Sequence, residues 1–261
     1  MRTENGLEVT VSDRVATVTL DRPERLNALS SGLQRDLVAA FDGFVDDPDV
    51  WVVVLTGAGE KAFCAGADLQ EIRETDTASD RGMRPMGGAG RNVFETVLEC
   101  TKPTIAAVNG WALGGGFELA LACDLRIAAA GVRVGLPEAR RGMGANFGAH
   151  LLSRLLPLGV AYELLYTGDH LTVEDATRWG LVNRVVPGPE LTAAAAELAG
   201  TIAANAPLTV RRYKAAIGKG ASLPLSAALR LDVGPDPYTS EDRVEGVAAF
   251  VEKRDPVWRA R

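Results

Sequence analysis

The chain has 261 residues, of which 47% are hydrophobic and 24% are charged, as in an ordinary soluble globular protein. This length suits one large domain, or one domain with a small appendage. The formal net charge of −6 argues against a nucleic-acid surface, which needs a basic face, so no nucleic-acid partner is expected.

The cysteines and the N-terminus give an expectation about the cellular compartment. The three cysteines show neither metal-ligand spacing nor an even disulfide set, so we predict free thiols in a reducing compartment. The polar N-terminus lacks the apolar stretch of a secretory signal, and no apolar run reaches the roughly 18 residues of a membrane helix. We therefore expect a cytoplasmic protein that makes no contact with a membrane.

The N-terminal part of the chain predicts a hairpin, a helix and a buried strand. Apolar and polar residues alternate over 7–11 and 15–20, with a polar turn between them, which predicts a β-hairpin. The serines at 30–31 are suitable N-caps for a helix that ends before Pro48. Residues 50–55 are a continuous β-branched run, typical of a strand buried on both faces.

A strand, a glycine-rich turn and a helix recur further along the chain. The pattern is clear at residues 104–108 and weaker at 125–128, and it indicates an α/β fold. Residues 75–90 are rich in glycine and predict a mobile loop or the adaptable wall of a pocket. A surface loop without a role fits that segment equally well.

The C-terminal part of the chain is predicted to be helical. The alanine-rich residues 191–204 predict one helix, and Pro207 precedes another. Residues 222–261 are predicted as helical, with breaks at two proline-containing turns. We therefore divide the chain into a core domain, residues 1–195, and a C-terminal helical subdomain, residues 196–261.

Glu118 is the first candidate for chemistry. It follows the consecutive glycines 114–116 inside an apolar helical run, so its side chain is expected to face a core. A lone ionised carboxylate there costs several kcal/mol of folding free energy or raises its own pKa. The structural alternative is a buried glutamate that is paired with an arginine such as Arg126.

Glu138 is the second candidate. It follows Pro137, so by itself it suits the first turn of a helix, where a negative charge is favoured. However, a helix and a returning strand can bring it to the same cleft as Glu118. Two carboxylates in unlike environments, one ionised and one protonated, are what paired acid/base catalysis requires.

Residues 62–69 contain a second glycine turn. If Gly66 sharpens this turn, the N–H of Ala67 points into the same cleft as the N–H of Gly115, and Asp68 begins a helix as its cap. Two N–H donors from separate loops can stabilise a developing oxyanion. Phosphate binding is the competing use of such glycines, but the chain has neither a dinucleotide fingerprint nor a P-loop.

Other reactive side chains favour no further chemistry. His150 and His170 have no metal-ligand spacing, and Ser153 lacks the sequence context of a nucleophile elbow. We therefore expect neither a metal site nor a serine hydrolase.

Six segments stand out in order along the chain: residues 21–29, 61–69, 102–110, 112–118, 136–138 and 240–246. Together they resemble the corresponding segments of the crotonase, or enoyl-CoA hydratase/isomerase, family. The resemblance implies an α/β fold, a crotonase-like spiral of ββα units with a C-terminal helical trimerisation region, and a homotrimer or homohexamer. It also implies an acyl-CoA thioester as substrate and no cofactor, since CoA is part of the substrate.

The resemblance also implies roles for individual residues. It assigns Glu118 and Glu138 as the catalytic carboxylates and the backbone N–H groups of Ala67 and Gly115 as the oxyanion hole. The positions that match the substrate and CoA contacts of the family are Arg25, Ala65, Ala67, Asp68, Leu69, Gly115, Phe250 and Lys253.

The expected activity is that of an enoyl-CoA hydratase, a lyase. Glu118 would orient and deprotonate water, and Glu138 would deliver a proton to the α carbon. The alternatives are another crotonase-family reaction, such as isomerisation, decarboxylation or hydrolysis, and a non-catalytic CoA-binding or RNA-associating role.

Residues 142–150 differ from the Pro-Gly-rich turn usual in hydratases, because the proline is absent and Asn146, Phe147 and His150 are bulkier. Acyl chain length therefore stays open.

Overall fold

The computed structural model describes residues 1–75 and 90–261. Apart from its two ends, the segment 75–90, predicted as a mobile loop or a pocket wall, lies outside the described residues. None of the helices in these ranges could span a membrane.

The strands are short and are numbered in chain order. They are β1 (Leu7–Ser12), β2 (Val15–Leu20), β3 (Val52–Gly57), β4 (Ala62–Cys64), β5 (Thr104–Val108), β6 (Trp111–Leu113), β7 (Leu125–Ala129), β8 (Arg133–Gly135), β9 (His170–Thr172) and β10 (Arg184–Val186).

The helices alternate with these strands and dominate the C-terminal third. They are α1 (Ser31–Asp46), α2 (Leu69–Thr75), α3 (Val93–Leu98), α4 (Gly115–Ala122), α5 (Asn146–Leu155), α6 (Leu158–Thr167), α7 (Val173–Arg178), α8 (Leu191–Ala203), α9 (Pro207–Gly220), α10 (Leu225–Ala228) and α11 (Glu241–Glu252).

Two sheets organise the core. The larger sheet has the order β1-β2-β3-β5-β7-β10, and the smaller has the order β4-β6-β8-β9. All neighbours are parallel except β1 with β2 and β8 with β9. The pairs β3–β4, β5–β6 and β7–β8 each place one strand in each sheet before the chain continues into a helix. This repetition is the predicted spiral of ββα units, and the α/β prediction is confirmed.

The predicted N-terminal elements are present. β1 and β2 form the hairpin, and Asp13 and Arg14 both have positive φ, as a tight two-residue turn requires. The hydroxyl of Ser30 accepts a hydrogen bond from the N–H of Leu33 and caps α1. The buried strand begins at Val52, two residues later than predicted, because its pairing with β2 begins there.

The prediction of helix over residues 222–261 is wrong in part. Helix occupies α10, a single 3₁₀ turn at Pro237–Thr239, and α11. Beyond α11 the chain folds back, and the N–H groups of Arg259 and Ala260 donate to the buried carboxylate of Asp242. The proposed domain boundary between residues 195 and 196 lies inside α8, which packs against the larger sheet; the division stays a prediction.

Candidate active site

Three neighbouring parallel strands of the smaller sheet end at the same place. Ala67 comes three residues after β4, Gly115 two residues after β6, and Glu138 three residues after β8. The carboxyl ends of adjacent parallel strands lie about 5 Å apart at one edge of a sheet. The topology therefore brings the two candidate N–H donors and one candidate carboxylate to one edge.

The first two of these turns are in direct contact. Gly66 has φ +93°, and a Cβ there would lie 3.1 Å from the amide nitrogen of Gly115 and 2.8 Å from the carbonyl oxygen of Leu113. At Gly116 a Cβ would overlap the carbonyl oxygen of Cys64. Only glycine allows this approach, so the start of α4 packs directly on the end of β4.

The N–H groups of Ala67 and Gly115 have no protein acceptor among the described residues. The N–H groups of Leu29 and Asp68 form the bonds that tie the Ala67 turn to the chain before α1. Gly115 is the first residue of α4, where N–H groups lack a partner within the helix. Both residues are partly exposed. An oxyanion hole needs two such donors without a protein acceptor.

Glu118 lies in the first turn of α4 and is almost fully buried. The N–H of Gly148, in α5, donates a 2.7 Å hydrogen bond to its Oε1. The pKa of the Glu118 carboxyl is raised to about 7: burial is the main cause, hydrogen bonds from Gly148 and Phe147 oppose the rise, and the nearby carboxylate of Glu138 adds to it. The carboxyl can therefore gain and lose a proton near neutral pH.

The alternative that Arg126 neutralises Glu118 is wrong. The buried guanidinium of Arg126 donates to carbonyl oxygens at the end of α4, Ala120 at 3.1 Å and Cys123 at 2.7 Å, and to that of Leu181. It thus satisfies the C-terminal carbonyls of the helix, leaving Glu118 at the N-terminal end without a cationic partner from Arg126.

Glu138 lies in the first turn of a 3₁₀ segment, Pro137–Arg141, and is also buried. A Cβ on Gly114 would lie 2.8 Å from its Oε1, so the carboxyl reaches the start of α4. Its Oε2 is buried without a hydrogen-bond partner among the described residues. Burial raises the pKa of this carboxyl, and the charge of Arg141 opposes the rise. Burial therefore favours the protonated form.

Four of the predicted CoA contacts lie beside the Ala67 turn. Arg25 ends a 3₁₀ turn, and its guanidinium donates to the side chain of Gln70. The N–H of Ala65 donates to the carbonyl of Leu26 at 3.0 Å. Leu69 begins α2 with a half-exposed side chain. The structure thus brings Arg25, Ala65 and Leu69 to one surface.

The fourth, Asp68, is held by the protein itself. Its buried carboxylate forms a 3.0 Å ion pair with Arg22 and caps α2 through the N–H of Glu71 at 3.4 Å. Burial alone would raise the pKa of Asp68, but the hydrogen bonds and charge of Arg22 bring it below its usual value. The cap was predicted; the part played by Arg22 was not.

Asn27 is a second positioning residue that the sequence did not reveal. It is completely buried, and its amide donates to the carbonyls of Ala58 at 3.0 Å and Ala62 at 2.8 Å, while its oxygen accepts from the N–H of Arg22. Its φ of +56° is one that asparagine tolerates better than most residues. Together Arg22 and Asn27 anchor the segment that carries the Ala67 turn.

Phe250 and Lys253 lie at the end of α11. The ring of Phe250 is 84% exposed, and Lys253 ends the helix in the left-handed conformation. Helix α11 packs chiefly against the 3₁₀ turn at Pro237–Thr239. The single chain does not bring these two residues to the Ala67 turn.

A cavity of about 1400 Å³ opens beside the candidate site. Leu26, Lys61, Ala65 and Leu113 line its end nearest the two turns. Neither Glu118 nor Glu138 lines it, and much of its wall comes from the larger sheet and α8, so the cavity is not the space in which the two carboxyls meet. In the described part of the chain, no three metal-ligating side chains come together.

Known proteins are similar in sequence to this chain over almost its full length. A sequence model of the enoyl-CoA hydratase/isomerase family matches residues 10–261. The chain is 40% identical over 253 residues to the short-chain-enoyl-CoA hydratase of Clostridium acetobutylicum, covering 96% of each protein. It is also 40% identical over 263 residues to the carnitinyl-CoA dehydratase of Salmonella heidelberg, covering 98% of this chain and 99% of that protein.

Solved structures are similar to this chain in fold as well. An enoyl-CoA hydratase from Mycobacterium tuberculosis H37Rv superimposes with a TM-score of 0.88 at 36% identity, covering 99% of this chain and 100% of that one. An enoyl-CoA hydratase from Bacillus anthracis gives a TM-score of 0.86 at 36% identity, covering 98% and 100%.

Proposed function

The chain belongs to the enoyl-CoA hydratase/isomerase family, and we propose that it adds water across the double bond next to the thioester carbonyl of an enoyl-CoA. One observation carries this proposal. Two buried carboxyls with raised pKa values reach the start of α4, where two backbone N–H groups have no acceptor among the described residues.

The two N–H groups stabilise the charge that hydration creates. Attack of water on the β carbon moves electrons through the α carbon onto the thioester oxygen and forms an enolate. The N–H groups of Ala67 and Gly115 donate to that oxygen. Preorganised donors of this kind lower the activation free energy by about 3–4 kcal/mol each.

The two carboxyls divide the proton transfers. Glu118, held by the N–H of Gly148, takes a proton from water as the oxygen attacks the β carbon. We assign to Glu138 the role of the acid: it starts the turnover protonated and gives its proton to the α carbon as the enolate collapses, and burial raises its pKa in the direction that this role needs. One ionised and one neutral carboxyl are thus required at the start of each turnover, and exchange with solvent restores them. No cofactor beyond the CoA of the substrate enters these steps.

CoA binds at the surface formed by Arg25, Ala65 and Leu69. Arg25 supplies a positive charge for the phosphates, and Ala65 links this surface to the adjoining cavity. Asp68 supports this surface by holding the turn and contributes its backbone to CoA. Its carboxylate remains with Arg22.

The protein forms a homotrimer, or a homohexamer made of two trimers. Several large apolar side chains on the C-terminal helices are more than 60% exposed in the single chain: Tyr213, Ile217, Leu225, Leu229, Val244, Val247, Phe250 and Val251. An apolar surface of this extent is typical of a subunit interface. In the assembly Phe250 and Lys253 reach the CoA of a neighbouring subunit. Sedimentation equilibrium measures the assembly state directly.

The protein acts in the cytoplasm. Its cysteines, Cys64, Cys100 and Cys123, are buried and free. Free thiols are typical of a reducing compartment. Fluorescence of a tagged full chain, or cell fractionation, tests this location.

The activity is tested by adding the protein to crotonyl-CoA and following the absorbance of the conjugated double bond. Hydration removes that absorbance and yields a hydroxyacyl-CoA, which mass spectrometry identifies by the added mass of water. A shifted double bond would indicate an isomerase, and free CoA a hydrolase. No reaction with enoyl-CoAs of any chain length would contradict the proposal.

A further inference from the structure

A stacked pair of aromatic rings lies next to the candidate site. Phe94 in α3 and Phe147 in α5 have ring centroids 5.4 Å apart and an interplanar angle of 27°. Helices α3 and α5 both contact α4, which carries Gly115 and Glu118. The pair is therefore held from two sides by packed helices.

Each ring belongs to a different half of the reaction centre. A Cβ on Gly115 would lie 3.3 Å from Cζ of Phe94, so this ring borders Gly115, whose N–H is one of the two proposed oxyanion donors. Phe147 directly precedes Gly148, whose N–H holds Glu118 at 2.7 Å. The stack thus spans the distance between the group that binds the thioester oxygen and the group that activates water.

Leu29 and Leu136 extend this apolar surface. A Cβ on Gly115 would lie 3.4 Å from Cδ1 of Leu29, and a Cβ on Gly148 would lie 2.6 Å from Cδ1 of Leu136. Both leucines and Phe147 are buried. Buried, close-packed side chains such as these yield only at a cost in free energy.

We propose that Phe94 and Phe147 form the wall that ends the acyl pocket and restrict the protein to short acyl chains. This inference rests on the proposed function, because the thioester oxygen is placed at Gly115 and the double bond beside Glu118. A chain that continues past the β carbon meets the stack within a few methylene groups. Longer chains must then displace two packed rings.

The test compares kcat/KM for crotonyl-CoA and decenoyl-CoA in the wild type, Phe147→Ala and Phe94→Ala. The wild type should strongly prefer crotonyl-CoA, and either substitution should raise the decenoyl-to-crotonyl ratio about tenfold or more. Phe44→Ala is the matched control. Phe44 is a buried phenylalanine that contacts Phe41 within α1, so its loss lowers stability and leaves the ratio unchanged.

A milder variant and a binding measurement keep the test decisive. Phe147→Leu retains most of the volume and should raise the ratio by a smaller factor if Phe147→Ala fails to fold. An unchanged ratio in folded Phe147 and Phe94 variants, or a wild type that accepts both substrates equally, overturns the proposal.

If no variant hydrates any enoyl-CoA, the proposed function fails, and calorimetry with butyryl-CoA and decanoyl-CoA tests the wall separately. Phe147→Ala should then tighten binding of decanoyl-CoA about tenfold relative to butyryl-CoA. Equal changes for both ligands, or equal affinities in the wild type, would contradict the wall.

Discussion

The N–H of Gly148 donates a 2.7 Å hydrogen bond to Oε1 of Glu118, so a backbone group of α5 holds the carboxyl of α4 in place. This bond favours the ionised carboxylate, whereas burial favours the neutral acid. Burial has the larger effect, and the pKa therefore rises to about 7. The opposing effects leave the carboxyl able to accept a proton near neutral pH, as a general base must.

Replacing either carboxyl should abolish most of the activity. Glu118→Gln and Glu138→Gln should each lower kcat for crotonyl-CoA by about a thousandfold, because general acid–base catalysis is lost while the shape of the site is kept. Calorimetry should show CoA binding within a factor of a few of the wild type. An unaltered rate in either variant would mean that its carboxyl has a structural role.

The pH dependence should report the raised pKa of Glu118. Protonation removes the base, so kcat/KM should fall about tenfold per pH unit below an apparent pKa near 7. Rates measured over a pH series with crotonyl-CoA give this profile. The residual activity of Glu118→Gln should lack that acidic limb, and a profile of the wild type that stays flat down to pH 5 would contradict the assignment.

The same carboxyl should make the protein less stable as the pH rises. Its folded pKa of about 7 exceeds the ordinary value of 4.5, so the folded state binds a proton that the unfolded state has released between these values. The free energy of unfolding therefore falls across this window, by about 3 kcal/mol in total. Glu118→Gln should be more stable than the wild type above pH 7 and equal to it near pH 4.

Thermal melts at one protein concentration check this prediction. A fixed concentration is required because assembly also changes the melting temperature. A stability difference between Glu118→Gln and the wild type that does not vary with pH would show that the wild-type carboxyl is not perturbed by burial.

The site should not tolerate even the smallest side chain at position 148. A Cβ there would lie 2.6 Å from Cδ1 of Leu136 and 3.2 Å from Oε1 of Glu118, so Gly148→Ala should displace the carboxyl and lower kcat about a hundredfold. Gly159→Ala in α6 is the matched control, since nothing lies within 4 Å of a Cβ there. Gly159→Ala should leave kcat unchanged, and equal kcat values for the two variants would contradict the prediction.

The buried ion pair between Arg22 and Asp68 should matter for both stability and substrate binding. Arg22→Ala leaves Asp68 buried without its cation, which should cost about 3 kcal/mol of stability and raise KM by loosening the Ala67 turn. Arg178→Ala removes an exposed pair with Asp175 and should cost less than about 1 kcal/mol. Urea unfolding and steady-state kinetics of both variants make the comparison; similar losses would count against the pair.

Much of the fold can be predicted from local patterns in the sequence. The alternation before residue 20, the cap at Ser30 and the turn at Gly66 each depend on neighbours in sequence, and each is present. Glu118 was predicted as buried because its apolar helical neighbours are visible in the sequence, and it is 6% exposed.

Other features depend on partners far apart in the chain. Arg126 was a candidate partner of Glu118, but carbonyls at the other end of α4 bind its guanidinium, a choice that only the packed helix reveals. Arg22 and Asp68 are separated by 46 positions, and no local pattern pairs them. The breaks at the two proline-containing turns are local and are part of the prediction, whereas the end of the helix after residue 252 depends on the returning tail, whose N–H groups bind Asp242.

The proposed oxyanion donors are main-chain groups at the ends of adjoining strands β4 and β6, so their separation derives from the ladder of the sheet. Systematic alanine scanning would therefore pass over them: position 67 is already alanine, and replacing Gly115 changes a side chain, not its N–H. Exchange of a single peptide bond for an ester, by chemical ligation, is the substitution that would expose what these two atoms contribute.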